Sequence, residues 1–144
     1  MLVSQILKSK SDDAVVTCPP SMLISEAAKM LSEKRIGTLV ISDDGKTPRG
    51  ILSERDIVRE LGRQGAGCMD MTVDKLMTTK LVTCSRDERA DAILQKMTDG
   101  RFRHMPVIED GALVGLISLG DVVKARLTEL SMEKNALEGM IMGH

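Results

Sequence analysis

Gly50-Ile51-Leu52-Ser53-Glu54-Arg55-Asp56 is written a second time in this chain, as Gly115-Leu116-Ile117-Ser118-Leu119-Gly120-Asp121. The glycine, the two aliphatics, the serine and the aspartate keep step. Each copy predicts a short buried strand, a serine at a helix N-cap and an aspartate in the first helical turn. Apolar and basic residues at helical spacing follow both: Ile57, Val58, Arg59 and Leu61, then Val122, Val123, Lys124 and Leu127.

The duplication extends outward from these junctions. Val16-Thr17-Cys18 recurs as Val82-Thr83-Cys84, an offset of 66 residues, and the same offset pairs Ile36 with Phe102 and Ile41 with Val107. One residue is lost in the next turn, so Gly50 pairs with Gly115 at an offset of 65. The lead-ins also correspond, Val3 to Leu7 with Val73 to Met77. Within each copy the order is a lead-in helical turn, a brief strand (Val15 to Thr17; Leu81 to Thr83), and a helix that Ser21 or Asp87 can cap. A second strand comes next (Thr38 to Ile41; Met105 to Ile108), then an Asp-Gly turn, and then the strand and helix of the junction. This is an α/β arrangement, β-α-β-β-α in each copy, with helices packed on small sheets. Two copies suit a pseudo-twofold pair, with boundaries at 1–65 and 66–127.

Gly62-Arg63-Gln64-Gly65-Ala66-Gly67 predicts a flexible linker; its glycine spacing does not fit a phosphate loop. The remainder, 128–144, predicts a C-terminal helical extension. Val123, Leu127, Leu130, Lys134, Leu137 and Ile141 form a heptad seam continuous with the last helix. That seam either packs back on the body or pairs with another subunit, and Gly139 and Gly143 predict fraying before His144.

Composition narrows the function. Net charge is −1 with the two signs interspersed, and Phe102 is the only aromatic ring besides the two histidines. Neither a basic footprint nor a base-stacking platform is present, which argues against nucleic acid. No apolar run approaches the roughly 20 residues that span a bilayer, and no secretory signal pattern opens the chain. Cys18, Cys68 and Cys84 form no C-x-x-C pair. A reduced, cytoplasmic setting with structural thiols is expected. His104 is the only internal histidine, so the common His-based metal motifs are not available. No G-x-S-x-G elbow exists either, and no enzymatic activity is expected.

Taken alone, Ser53-x-x-Asp56 and Ser118-x-x-Asp121 are capping boxes. As a duplicated set after Gly-aliphatic-aliphatic, they resemble a tandem of cystathionine-β-synthase-type (CBS) domains. Arg103-His104-Met105-Pro106-Val107-Ile108 is similar to that family's second-strand motif. The first copy departs by placing Val40 where the family often has proline.

This resemblance implies two CBS repeats packed sheet to sheet around two clefts, which in the family take AMP, ADP, ATP, NAD(H) or S-adenosylmethionine. By the same resemblance, Asp56 and Asp121 would accept hydrogen bonds from ribose hydroxyls. Ser53 and Ser118 would contact ribose or phosphate, and Thr17 and Thr83 would line the adenine pocket. Val40, Met105 and Pro106 would sandwich the base, with Thr38 beside them. Arg55 would partly offset Glu54 at the first cleft, while Arg103 and His104 would favour phosphate at the second.

The implied protein is a regulatory adenine-nucleotide sensor without a catalytic cofactor. It would be a homodimer through the repeat helices, with the tail as an additional clasp where it pairs rather than folds back, acting on a regulated partner protein. The competing reading is a ligand-free interaction scaffold whose capping boxes only cap.

Overall fold

The computed structural model describes residues 1–10 and 15–141. A helix α1 (Val3–Ser9) leads into β1 (Thr17–Cys18), α2 (Ile24–Lys34), β2 (Thr38–Ile41), β3 (Gly50–Ser53) and α3 (Glu54–Gln64). Two short 3-10 turns, Ala66–Asp70 and Val73–Lys75, lead to α4 (Ala90–Gly100), β4 (His104–Glu109), β5 (Ala112–Ser118) and α5 (Leu119–Ile141). One sheet has the order β1-β2-β3, with β1 parallel and β3 antiparallel to β2; the other is the antiparallel pair β4-β5. The predicted duplication is present in the register: Thr38 lies opposite Ser53 as His104 lies opposite Ser118.

The opening strand of each copy departs from expectation. It begins at Thr17 rather than Val15, and in the second copy it shrinks to a single bridge between Cys84 and Val107. Proline supplies the reason. In the first copy the Val40 amide donates to the Val16 carbonyl at 3.2 Å. The equivalent residue in the second copy is Pro106, which has no N–H to give Val82. Pairing survives only beyond that gap, where Cys84 donates to Pro106 and accepts from Ile108.

Side-chain alternation along β2 and β4 sorts residues between two faces. Leu39 and Ile41 join a first core with Ile24, Ala27, Leu31 and Leu52. Met105 and Val107 join a second core with Ala90, Ile93, Met97 and Ile117. Thr38 and Val40, with their counterparts His104 and Pro106, lie on the opposite faces, where Thr38 of one sheet touches His104 of the other.

Each core also contains the other copy's lead-in. Val3, Ile6 and Leu7 are buried in the second core, and Val73 and Leu76 in the first. This exchange explains the repeated glycine before the junction. A Cβ on Gly115 would come within 2.8 Å of Leu7 Cδ2, and one on Gly50 within 2.6 Å of Met77 Sδ and 3.0 Å of the Thr78 carbonyl. Glycine is what lets each exchanged segment approach its strand.

The exchange also corrects the expected caps. The N-caps of α2 and α4 are Leu23 and Arg89, not Ser21 and Asp87, and neither makes a side-chain cap. The first helical amides are instead taken by exchanged backbone, Ile24 N–H by Met71 O at 2.8 Å and Ala90 N–H by Met1 O at 2.9 Å. The predicted linker is corrected as well. Its first residues finish α3, Gly65 turns the chain at φ 77°, and the 3-10 turn that follows buries Cys68.

The tail is a continuous helix with α5, whose buried residues are only Val122 and Ala125. Its seam does not fold back on the body: Leu127, Leu130 and Leu137 are all exposed. The expected fraying at Gly143 and His144 lies outside the described residues.

Candidate functional site

Both junctions close as reciprocal capping boxes. Ser53 Oγ accepts from the Asp56 amide at 3.3 Å, and Asp56 Oδ2 accepts from the Ser53 amide at 2.9 Å. At the second junction the corresponding distances are 3.1 and 2.9 Å, between Ser118 and Asp121. A further repeated bond ties each helix start to the residue before the facing strand, Glu54 N–H to Gly37 O and Leu119 N–H to Arg103 O.

The remaining acceptor capacity of the two aspartates differs. Asp56 is 8% exposed; its Oδ2 also takes the Ser53 hydroxyl, and its Oδ1 takes the Arg59 guanidinium at 2.8 Å. Asp121 takes Lys10 Nζ on Oδ2 at 3.0 Å, while its Oδ1 accepts nothing among the described residues. Burial works against ionisation of Asp121, but the Ser118 amide and the Lys10 ammonium outweigh it and hold the carboxyl below the usual carboxylate range. An ionised oxygen with a spare lone pair is what a sugar hydroxyl needs.

Two clefts border this second junction. The larger, about 550 Å³, lies between the copies and is lined by Val16, Ile36, Gly37, Thr38, His104, Leu116 and Ser118, with Lys10 and Lys34 also contributing. The smaller, about 460 Å³, has Lys10, Asp121 and Lys124 in its wall. At the floor of the larger one, Thr38 Oγ1 and His104 Nδ1 are 3.0 Å apart. Burial lowers the His104 pKa, Lys10 and Arg103 adding to that while Asp121 and Glu54 oppose it, so the ring is neutral at pH 7.

Of the residues singled out from sequence, Thr38, His104 and Ser118 meet in the larger cleft, and Asp121 stands in the wall of the smaller. Ser53 and Asp56 form the first junction apart from them. Thr17 is half-buried beside Val40 in the sheet, and Arg55, Thr83 and Arg103 are exposed. Val40 and Pro106 are buried on the face shared with Thr38 and His104. Met105 is corrected: it lies wholly inside the second core, because strand alternation turns it away from that face.

Sequence reading missed Lys10, whose ammonium bonds both Asp121 and the Leu116 carbonyl at 2.9 Å. Only the exchange of lead-ins carries this residue of the first copy to the second junction. Glu54, placed from sequence at the first cleft, has its carboxylate over Gly37.

Fold and site together define a tandem-repeat α/β module with a cleft between its copies, bordered by the capping Ser118. The chain belongs to the CBS-domain family, whose profile matches residues 3–63 and 73–128. It is 33% identical over 148 residues to a mitochondrial CBS domain-containing protein of Arabidopsis thaliana, covering 98% of this chain and 72% of the relative. A CBS-domain containing protein from Agrobacterium tumefaciens superposes with a TM-score of 0.83 at 42% identity, over 88% of this chain and 99% of that one. A CBS domain pair solved in complex with 5′-methylthioadenosine and S-adenosyl-L-methionine superposes at 0.78 with 27% identity, over 90% and 98% of the two chains.

Proposed function

We propose that this chain is a non-enzymatic sensor that binds an adenine nucleotide at the second junction and reports occupancy to a partner protein. The observation that carries the reading is the Oδ1 of Asp121, which accepts nothing among the described residues and is placed at a junction bordered by both clefts. In this reading a ribose hydroxyl bonds Asp121, Ser118 contacts ribose or phosphate, and the base lies against Ile36, Thr38 and His104. Lys10, Lys34 and Arg103 supply positive charge for an AMP, ATP or NAD(H) phosphate. The solved relative with two adenosine-based ligands supports the ligand class.

Signalling follows from the exchange of lead-ins. A ligand that displaces Lys10 from Asp121 acts directly on α1, which is built into the second core. Any arrangement the ligand contacts better is favoured by the difference in affinity. We further propose a cytoplasmic homodimer assembled through the repeat helices, where Val58 on α3 and Val123 on α5 present exposed apolar side chains.

One observation favours the scaffold reading at the first junction. Both oxygens of Asp56 are already engaged by Ser53 and Arg59, so that box is satisfied as a cap. Calorimetric titration with AMP, ATP, NADH and S-adenosylmethionine separates the two readings. Saturable binding of one of them that the Asp121→Asn variant weakens is expected. Folded protein that binds none of the four is the scaffold.

A further inference from the structure

The distal half of α5 is a helix without a tertiary partner. After Val122 and Ala125 pack on the body, and Glu129 pairs with the N-terminal ammonium at 2.9 Å, every residue from 130 to 138 is exposed. Val123, Leu127, Leu130, Leu137 and Ile141 of the seam are between 40% and 84% exposed. A free helix shorter than about 12–15 residues is marginal in water, so an apolar stripe on such a segment calls for a neighbour.

We infer that this neighbour is the α5 helix of a second copy, lying antiparallel with its centre near Met132. The inference rests on the homodimer reading above and specifies its geometry. Heptad packing sets a against d in an antiparallel pair. Leu127 then faces the partner's Leu137, Leu130 faces the partner's Lys134, and Val123 faces the partner's Ile141.

Charge decides the direction. A parallel pair would set Lys134 against the partner's Lys134 inside the seam and, on both sides, Glu133 beside the partner's Glu138. An antiparallel pair separates the two lysines and sets Lys124 beside the partner's Glu138 twice. Its one like-charged contact, Glu133 with the partner's Glu133, is flanked by both Lys134 ammoniums. Opposite charges flanking a seam choose orientation more strongly than they add affinity.

The test uses the full chain, because the three native thiols are buried. Sedimentation should give a dimer, and a short bismaleimide should couple Ser131→Cys, which meets its own copy near the centre, but not Leu137→Cys, which does not. Glu138→Lys should weaken the dimer several-fold, and Lys124→Glu with Glu138→Lys should restore it. Capture of Leu137→Cys with a tighter Glu138→Lys dimer overturns the antiparallel clasp in favour of a parallel one. A dimer that captures neither cysteine and ignores Glu138→Lys overturns the clasp while leaving the homodimer standing. A monomer at all concentrations overturns both.

Discussion

Thr38 and His104 hold the same position in the two copies, and their side chains touch each other, Oγ1 to Nδ1 at 3.0 Å. A contact between equivalent residues lies on the axis that relates the copies, so this pair marks where the halves meet. The halves differ in chemistry there, a hydroxyl facing an imidazole.

That contact makes the interface sensitive to acid. The folded pKa of His104 is lowered, chiefly by burial. The unfolded chain therefore binds the proton more readily, and stability falls as pH drops below about 6.5, the ordinary histidine value. Carboxylate losses, including that of Asp121, whose pKa is also lowered, begin only near pH 4 and below. Urea midpoints between pH 8 and 5 should decline in the native protein and flatten in His104→Gln. An equal decline in both assigns the effect to other groups.

Asp121 is a cap and, in the proposed sensor, a ribose acceptor. Asp121→Asn should cost about 1 kcal/mol of stability as a weakened cap. It should also lower nucleotide affinity about tenfold or more, the size of one charge-assisted hydrogen bond of about 1.5–3 kcal/mol. Asp56→Asn should cost a similar stability with a smaller change in binding. Affinities that stay level in a folded Asp121→Asn protein remove this residue from the site.

The exchanged lead-in predicts a long-range effect of a near-terminal residue. Ile6 is 2% exposed in the core of the second copy. Ile6→Ala should destabilise by about 2–5 kcal/mol, and Gly115→Ala, which drives a methyl into Leu7, by about 1–3 kcal/mol. Hydrogen exchange should locate the Ile6→Ala loss in α4, β4 and β5. Loss confined to β1, α2 and β2 would contradict the exchange.

The thiols should be inert in the native state. Burial pushes Cys18 up to about 11 and Cys84 to about 12, the Glu88 carboxylate adding to the second. The thiolate is the reactive form, so all three buried cysteines should resist an aromatic disulfide reagent at pH 8 and react together on unfolding. A fast-reacting thiol in native protein would mark an opening that these positions do not have.

The sequence by itself determined the duplication, the α/β class, the family and both serine–aspartate boxes. Each of these is a local pattern: a strand of period two, a cap three residues from its partner, a glycine before it. It also carried the heptad seam of α5, because helical periodicity is written along one continuous segment. What only the tertiary structure decided were relations between distant segments. Val3, Ile6 and Leu7 belong to the other copy's core, and from there Lys10 reaches Asp121, 111 residues away. The same exchange gives α2 and α4 backbone partners in place of Ser21 and Asp87. The amides and apolar faces in each copy carry no mark of which copy will satisfy them. Identical repeat patterns allow a lead-in to pack on its own copy or on its twin, and only closure of the whole core chooses between them.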